Sequence, residues 1–246
     1  MTIRATLALG SLFLAVTMLP SSQLAAQPSS RPDLSGLWTP APRAAVEGLP
    51  QPIRAPAQMP YSALGQATWD AYEAEFDPVV DAPGRYCVPP GMPTVMIGTP
   101  TFPMEIFHRP HDITIFNEAY YQYRKIYMEG YDRPEPILPT RMGYAVGRWD
   151  GDTLVIETSH LSERGMSTTL MSGEASVVER LRVETAADGR RILIDDITLT
   201  DPNMYTAPVV MRGVWLESPD SPIMEYICSQ NIFDEHINNV REAAAR

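Results

Sequence analysis

The chain has 246 residues, 30 acidic against 19 basic, for a formal charge of −11, with 44% hydrophobic residues and 24 prolines. An acidic balance of this size argues against nucleic acid or an anionic lipid surface as partner. The apolar fraction is too high for a disordered chain, and the length suffices for one sizeable domain.

The first 26 residues place Arg4 ahead of an apolar run from Ala5 to Leu19, followed by small residues at Ala25 and Ala26. This is the layout of a secretory signal peptide cleaved after Ala26. The run is too short to anchor the chain, and every later apolar run is interrupted, so a periplasmic or secreted protein without a membrane span is expected.

Residues 27–103 read as a proline-rich arm. Within it, LSGLW (34–38) is a candidate edge strand, and 62–76 places Trp69, Tyr72 and Phe76 at i, i+3 and i+7 of an amphipathic helix. The stretch VPPGMPTVMIGTPTFP excludes a regular helix or a central strand.

From residue 104 to 246 the pattern changes to short alternating runs separated by turn residues. MEIFHR, DITIFNE and YYQYRKIYM come first, then the loop RPEPILPT. GYAVGRW and TLVIET flank an Asp-Gly turn, as do SVVERLRVETA and RILIDDITLT, and Asp-Gly between alternating runs predicts a hairpin. APVVMRGVWLE and SPIMEYICSQ predict a third hairpin, and FDEHINNVREAA a short closing helix. Nine or so consecutive strands must close or stack to bury their faces. The expected fold is an all-β antiparallel up-and-down barrel of the lipocalin or calycin type, with a two-sheet sandwich as the alternative. The only two cysteines, Cys87 and Cys228, read as a disulfide in an oxidising compartment, tying the arm to the last strand.

PDLSGLW, CVPPGMP, YRKIYMEG, GYAVGRWDGDTLVIET, VVERLRV, DPNMYTAPVV and EYICSQN follow one another along nearly the whole mature chain. This succession resembles a family of exported bacterial proteins of unknown function, with GRWDGDTLVIET as its most specific block. The resemblance implies a β-rich fold with paired cysteines and carries over no catalytic residues. This chain departs from that pattern at Tyr144, where relatives often have His, and at Gly130-Tyr131, where they have Gly-Arg.

Strand alternation sorts side chains into faces. Met104, Ile106 and His108 share one face, Thr114, Phe116 and Glu118 another, and Gln122, Arg124, Ile126 and Met128 a third. With the Ile/Met faces inward, His108, Glu118 and Arg124 would converge inside the barrel, where they bind a polar group or move a proton. Glu179 interrupts the stripe Val177, Leu181, Val183, so this inward carboxylate needs a partner, Arg124 or Arg148. Tyr144 is expected to offer a phenol to the same cavity. A structural salt bridge is the competing account of these polar residues.

His108-x-x-His111-Asp112 lacks a set of converging ligands, so no metal is expected. Ser159 and His160, adjacent on a strand end, should point to opposite faces. No nucleotide-binding motif occurs and no cofactor is expected. Asp195 and Asp196 read as solvent-face acids. Two function classes remain: a cofactor-free isomerase or lyase acting on a small apolar or aromatic molecule held in the barrel, and a non-catalytic carrier of such a molecule. The sequence leaves the oligomeric state open.

Overall fold

The computed structural model describes residues 31–77, 86–97, 102–136, 138–163 and 169–244, so the expected signal peptide lies outside the described residues. Nine strands close into a barrel: β1 (Gly36–Pro40), β2 (Met104–His108), β3 (Asp112–Asn117), β4 (Gln122–Met128), β5 (Tyr144–Asp150), β6 (Thr153–Ser159), β7 (Ser176–Thr185), β8 (Arg191–Thr200) and β9 (Val209–Glu217). Each strand pairs with the next in sequence. LSGLW supplies the closing strand: Trp38 stands opposite Met104 on one side and Glu217 on the other. Closure leaves no free sheet edge and replaces the sandwich alternative.

The barrel is not antiparallel throughout. β4 and β5 run parallel, with Ile126 opposite Ala145 and Met128 opposite Gly147. The reason is parity: nine strands in a ring cannot alternate direction at every contact, so one pair must run parallel. That pair falls where the connection is long enough to carry the chain back, residues 129–143, rather than at a two-residue turn. The Asp150-Gly151 turn forms as expected, with Gly151 in the left-handed region at φ 61°.

Inward faces build the core. Trp38, Met104, Ile113, Ile115, Ile126, Leu154, Ile156, Leu181, Ile197, Met211 and Trp215 are all buried. A second, smaller cluster of Val46, Ile192, Ile194, Val214 and Leu216 packs on the outside of β8 and β9, beneath the 3-10 turn Arg43–Val46. The proline-rich arm packs with the barrel: the described chain from Arg31 onward forms one compact unit. The arm gives β1 to the barrel. It also sends Met92, Val95 and Met96 into the core, around the 3-10 turn Thr94–Ile97. Trp215 Nε1 donates to the Met96 carbonyl at 3.1 Å, fixing that insertion.

The helix α1 (Ala63–Glu75) starts at Ser62, whose hydroxyl accepts from the Gly65 N–H at 3.0 Å. Its Trp69 stacks on Tyr61, which stacks on Tyr205. The third hairpin does not form. Residues 218–227 carry no strand, because β1 already occupies the free edge of β9. EYICSQN instead leads into the helix α2 (Cys228–Ala244), longer than expected. Cys87 and Cys228 are disulfide-bonded, so the bridge ties the arm to the start of a helix rather than to a strand.

Candidate functional site

The sequence-predicted site residues separate into four places. Arg124 and Glu179 meet inside the barrel. Arg124 points inward from β4 in the same alternation as Ile126 and Met128, and Glu179 points inward from β7 between Val177 and Leu181. Two strands separate β4 from β7, so the long arginine side chain spans the interior to reach its partner. Nη1 donates to Glu179 Oε1 at 2.9 Å and Nη2 to Oε2 at 2.7 Å, a bidentate pair in which both side chains are almost wholly buried. Nη1 also lies 2.8 Å from Met92 Sδ. Arg148, the other expected partner of Glu179, is exposed on β5.

A third charged residue belongs to this cluster, and sequence reasoning assigned it to solvent. Asp195 is fully buried, pointing inward from β8 opposite Leu181 and Gly213. The parity signal existed: Leu193, Asp195, Ile197 and Leu199 share a face. It was masked because Ile192 and Ile194, on the opposite face, are apolar too and pack under the arm. Asp196 alone faces outward, bonded to Arg182 and Arg212.

Neither Asp195 oxygen has a hydrogen-bond partner that donates to it. Burial, with the negative Glu179 beside it, pushes its carboxyl well above the usual carboxylate range, against the pull of Arg124. The physical sense is simple. Two ionised carboxylates and one guanidinium would leave a net negative charge in a dry interior, which costs several kcal/mol on the order-of-magnitude scale for buried ions. A proton on Asp195 removes that charge and supplies an O–H for Glu179 to accept. The cluster is thus a cation, a carboxylate and a neutral acid held together.

The other three candidates stand elsewhere. His108 does lie on the inward parity of β2, but at the end of the barrel, where its Nδ1 accepts from the Leu34 N–H at 3.3 Å and lies 3.5 Å from Asp33 Oδ1. It lines a groove of about 550 Å3 along β1 to β3, with Ser35, Glu105, Phe107, Arg109 and Thr114. Glu118 is not on a strand. The inward parity of β3 belongs to Ile113, Ile115 and Asn117, and Glu118 sits beyond the strand, at the start of the 3-10 turn Ala119–Tyr121, where its Oε2 accepts from the Met224 N–H at 2.5 Å. Tyr144 faces away from the barrel interior, because Ala145 and Gly147 take the inward positions of β5. Its hydroxyl donates to the Pro134 carbonyl at 2.6 Å. The convergence expected of His108, Glu118, Arg124 and Tyr144 is therefore replaced by Arg124, Glu179 and Asp195.

Two local arrangements differ from what alternation and spacing predict. Ser159 Oγ and His160 Nδ1 are 2.9 Å apart in a groove of about 430 Å3 beside β5 to β7. Alternation does not separate them because β6 ends at Ser159 and His160 adopts φ 52°, turning its ring back. Asp112 draws three cationic or ring nitrogens: Arg109 Nη2 at 2.6 Å, Lys125 Nζ at 3.1 Å and His111 Nε2 at 3.2 Å. Desolvation works to raise its carboxyl, but the bonds from Arg109 and Lys125 prevail and hold it below the usual range. Among the described residues no group of three or more His, Cys, Asp or Glu is placed to hold a metal ion, and no helix is long and apolar enough to cross a membrane.

Compared with models of known protein families and with curated protein sequences, the chain matches none.

Proposed function

We propose that this is an exported, cofactor-independent enzyme of the isomerase or lyase kind. It holds a small, partly apolar or aromatic molecule in the barrel and moves a proton on it with Arg124, Glu179 and Asp195. The observation that carries this reading is Asp195: a wholly buried acid standing beside the Arg124–Glu179 pair, with no donor to its oxygens. A fully buried acid whose carboxyl is pushed up, beside a charged pair, is a site candidate. A neutral acid next to a carboxylate is also the pairing that acid–base chemistry requires. In this reading Glu179 accepts the proton, Asp195 returns one, and Arg124 binds the oxygen on which charge develops.

The room for a ligand comes from the arm. Met92 and Met96 fill the interior beside the cluster, and unbranched methionines give way to a bound molecule more readily than branched side chains do. Both Glu179 oxygens are already held by Arg124, which favours the second reading, a non-catalytic carrier in which the cluster only orients its ligand.

The test starts from the native protein, isolated from its source, denatured, with released small molecules identified by mass spectrometry. With a ligand in hand, Glu179→Gln should abolish its conversion while weakening its retention only modestly. Loss of retention without any conversion by the parent protein selects the carrier. Conversion unaffected by Glu179→Gln would remove the cluster from the chemistry.

A further inference from the structure

α2 is a helix of 17 residues with little to pack against: Ile232, Phe233 and Val240 are 38%, 61% and 50% exposed, and Ile237 is half-buried. A helix of this length is marginal in water without a partner for its apolar face. At 100° per residue, Phe233, Ile237 and Val240 fall within a stripe about 60° wide. Asp234 and Arg241, seven residues apart, lie together on one flank of that stripe.

We propose that α2 pairs antiparallel with α2 of a second copy of this chain, making a two-fold dimer. In an antiparallel pair each flank faces the same flank of the other helix, so a two-fold axis level with residues 237 and 238 sets Asp234 against Arg241 of the second copy, twice. That axis also sets Phe233 near Val240 of the second copy and Ile237 near its counterpart. One register therefore satisfies the apolar stripe and the charges together. A parallel pair would instead turn this flank towards the opposite flank of the second helix, which carries Ile232, His236 and Asn239 and no carboxylate or guanidinium, and leave both charges without a partner. A membrane surface fits less well, since Asp234, Glu235 and Glu242 outnumber Arg241 on this helix and anionic lipid selects basic ones.

The test is sedimentation equilibrium on the purified protein with its disulfide intact, across a concentration series. A reversible monomer–dimer equilibrium is expected, abolished by Phe233→Asp or Ile237→Asp. Asp234→Arg alone, or Arg241→Asp alone, should weaken the dimer on the order of tenfold, since each replaces two attractive pairs by two repulsive ones. The double variant Asp234→Arg/Arg241→Asp should restore it. A monomer at all concentrations, a dimer indifferent to Phe233 and Ile237, or failure of the double variant to rescue would each overturn the proposal. So would binding of the monomer to anionic vesicles in place of self-association. Circular dichroism of each variant separates loss of pairing from loss of folding.

Discussion

Arg124 grips Glu179 with both ends of its guanidinium, at 2.9 and 2.7 Å, across a barrel interior in which neither side chain meets water. The two partners are not equivalent, because a second carboxyl stands beside one of them. Arg124→Met leaves buried acid with no counter-charge and should cost about 3–5 kcal/mol, the range for breaking a buried pair. Glu179→Gln should cost less, because Asp195 can ionise and take over the guanidinium. Urea unfolding of both variants decides this. Equal losses would mean that Asp195 cannot serve as the reserve.

Asp195 gives stability a particular dependence on pH. The folded protein keeps the Asp195 proton at pH values where the unfolded chain, with an ordinary carboxyl near pH 4, has released it. Folding is then linked to proton uptake, so this residue costs stability increasingly as pH rises from about 4 towards its folded-state value. Asp195→Asn keeps an N–H donor for Glu179 and removes the titration. It should raise stability by about 0.5–2 kcal/mol near neutral pH, and the gain should disappear below about pH 4. Thermal midpoints of parent and variant across that range provide the measurement. A gain that grows towards acid pH would contradict the protonated assignment.

These two residues also mark how far the sequence could be read. The barrel was legible because strands alternate and Asp-Gly turns join them, and Glu179 was legible because a single acid broke an apolar stripe. Asp195 was hidden by apolar residues on both parities of β8, a consequence of Val46 and its neighbours covering the outside of that strand. Glu118 was misplaced by reading one face of β3 from Phe116 when the inward parity belonged to Ile113 and Ile115. The parallel pair and the loss of the third hairpin follow from ring closure, which no local window contains. The Ser159–His160 contact depends on one positive φ, uncommon outside glycine, so composition carries no sign of it.

The Cys87–Cys228 disulfide closes a sequence separation of 141 residues. In the chain-entropy account a loop of that length contributes about 5 kcal/mol at most, and losses of about 2–5 kcal/mol are typical on removing a native bridge. Because β1 and β9 close the barrel without the disulfide, Cys87→Ser with Cys228→Ser should lower the urea midpoint but leave the β-sheet circular dichroism signal in place. The loss should fall first on α2, whose first residue the bridge holds. Hydrogen exchange in α2 should therefore accelerate more than in β7 to β9. Uniform acceleration would show that the bridge supports the barrel itself.

Gly213 is where the arm and the barrel wall meet. A Cβ at this position would lie 2.0 Å from the Met96 carbonyl oxygen, so only glycine lets the turn at residues 94–97 approach β9 and accept the Trp215 N–H. Gly213→Ala leaves β9 able to pair but pushes that turn away. The resulting strain should cost about 1–3 kcal/mol, the usual range for overpacking. Since Met92 and Met96 belong to the segment that fills the barrel beside Arg124, the displaced segment should also open the interior. Binding of an apolar fluorescent dye should rise in Gly213→Ala, and tryptophan emission should shift to the red as Trp215 loses its cover. A variant with lower stability but unchanged dye binding would mean that the segment adjusts without leaving, and that the interior stays closed by other side chains.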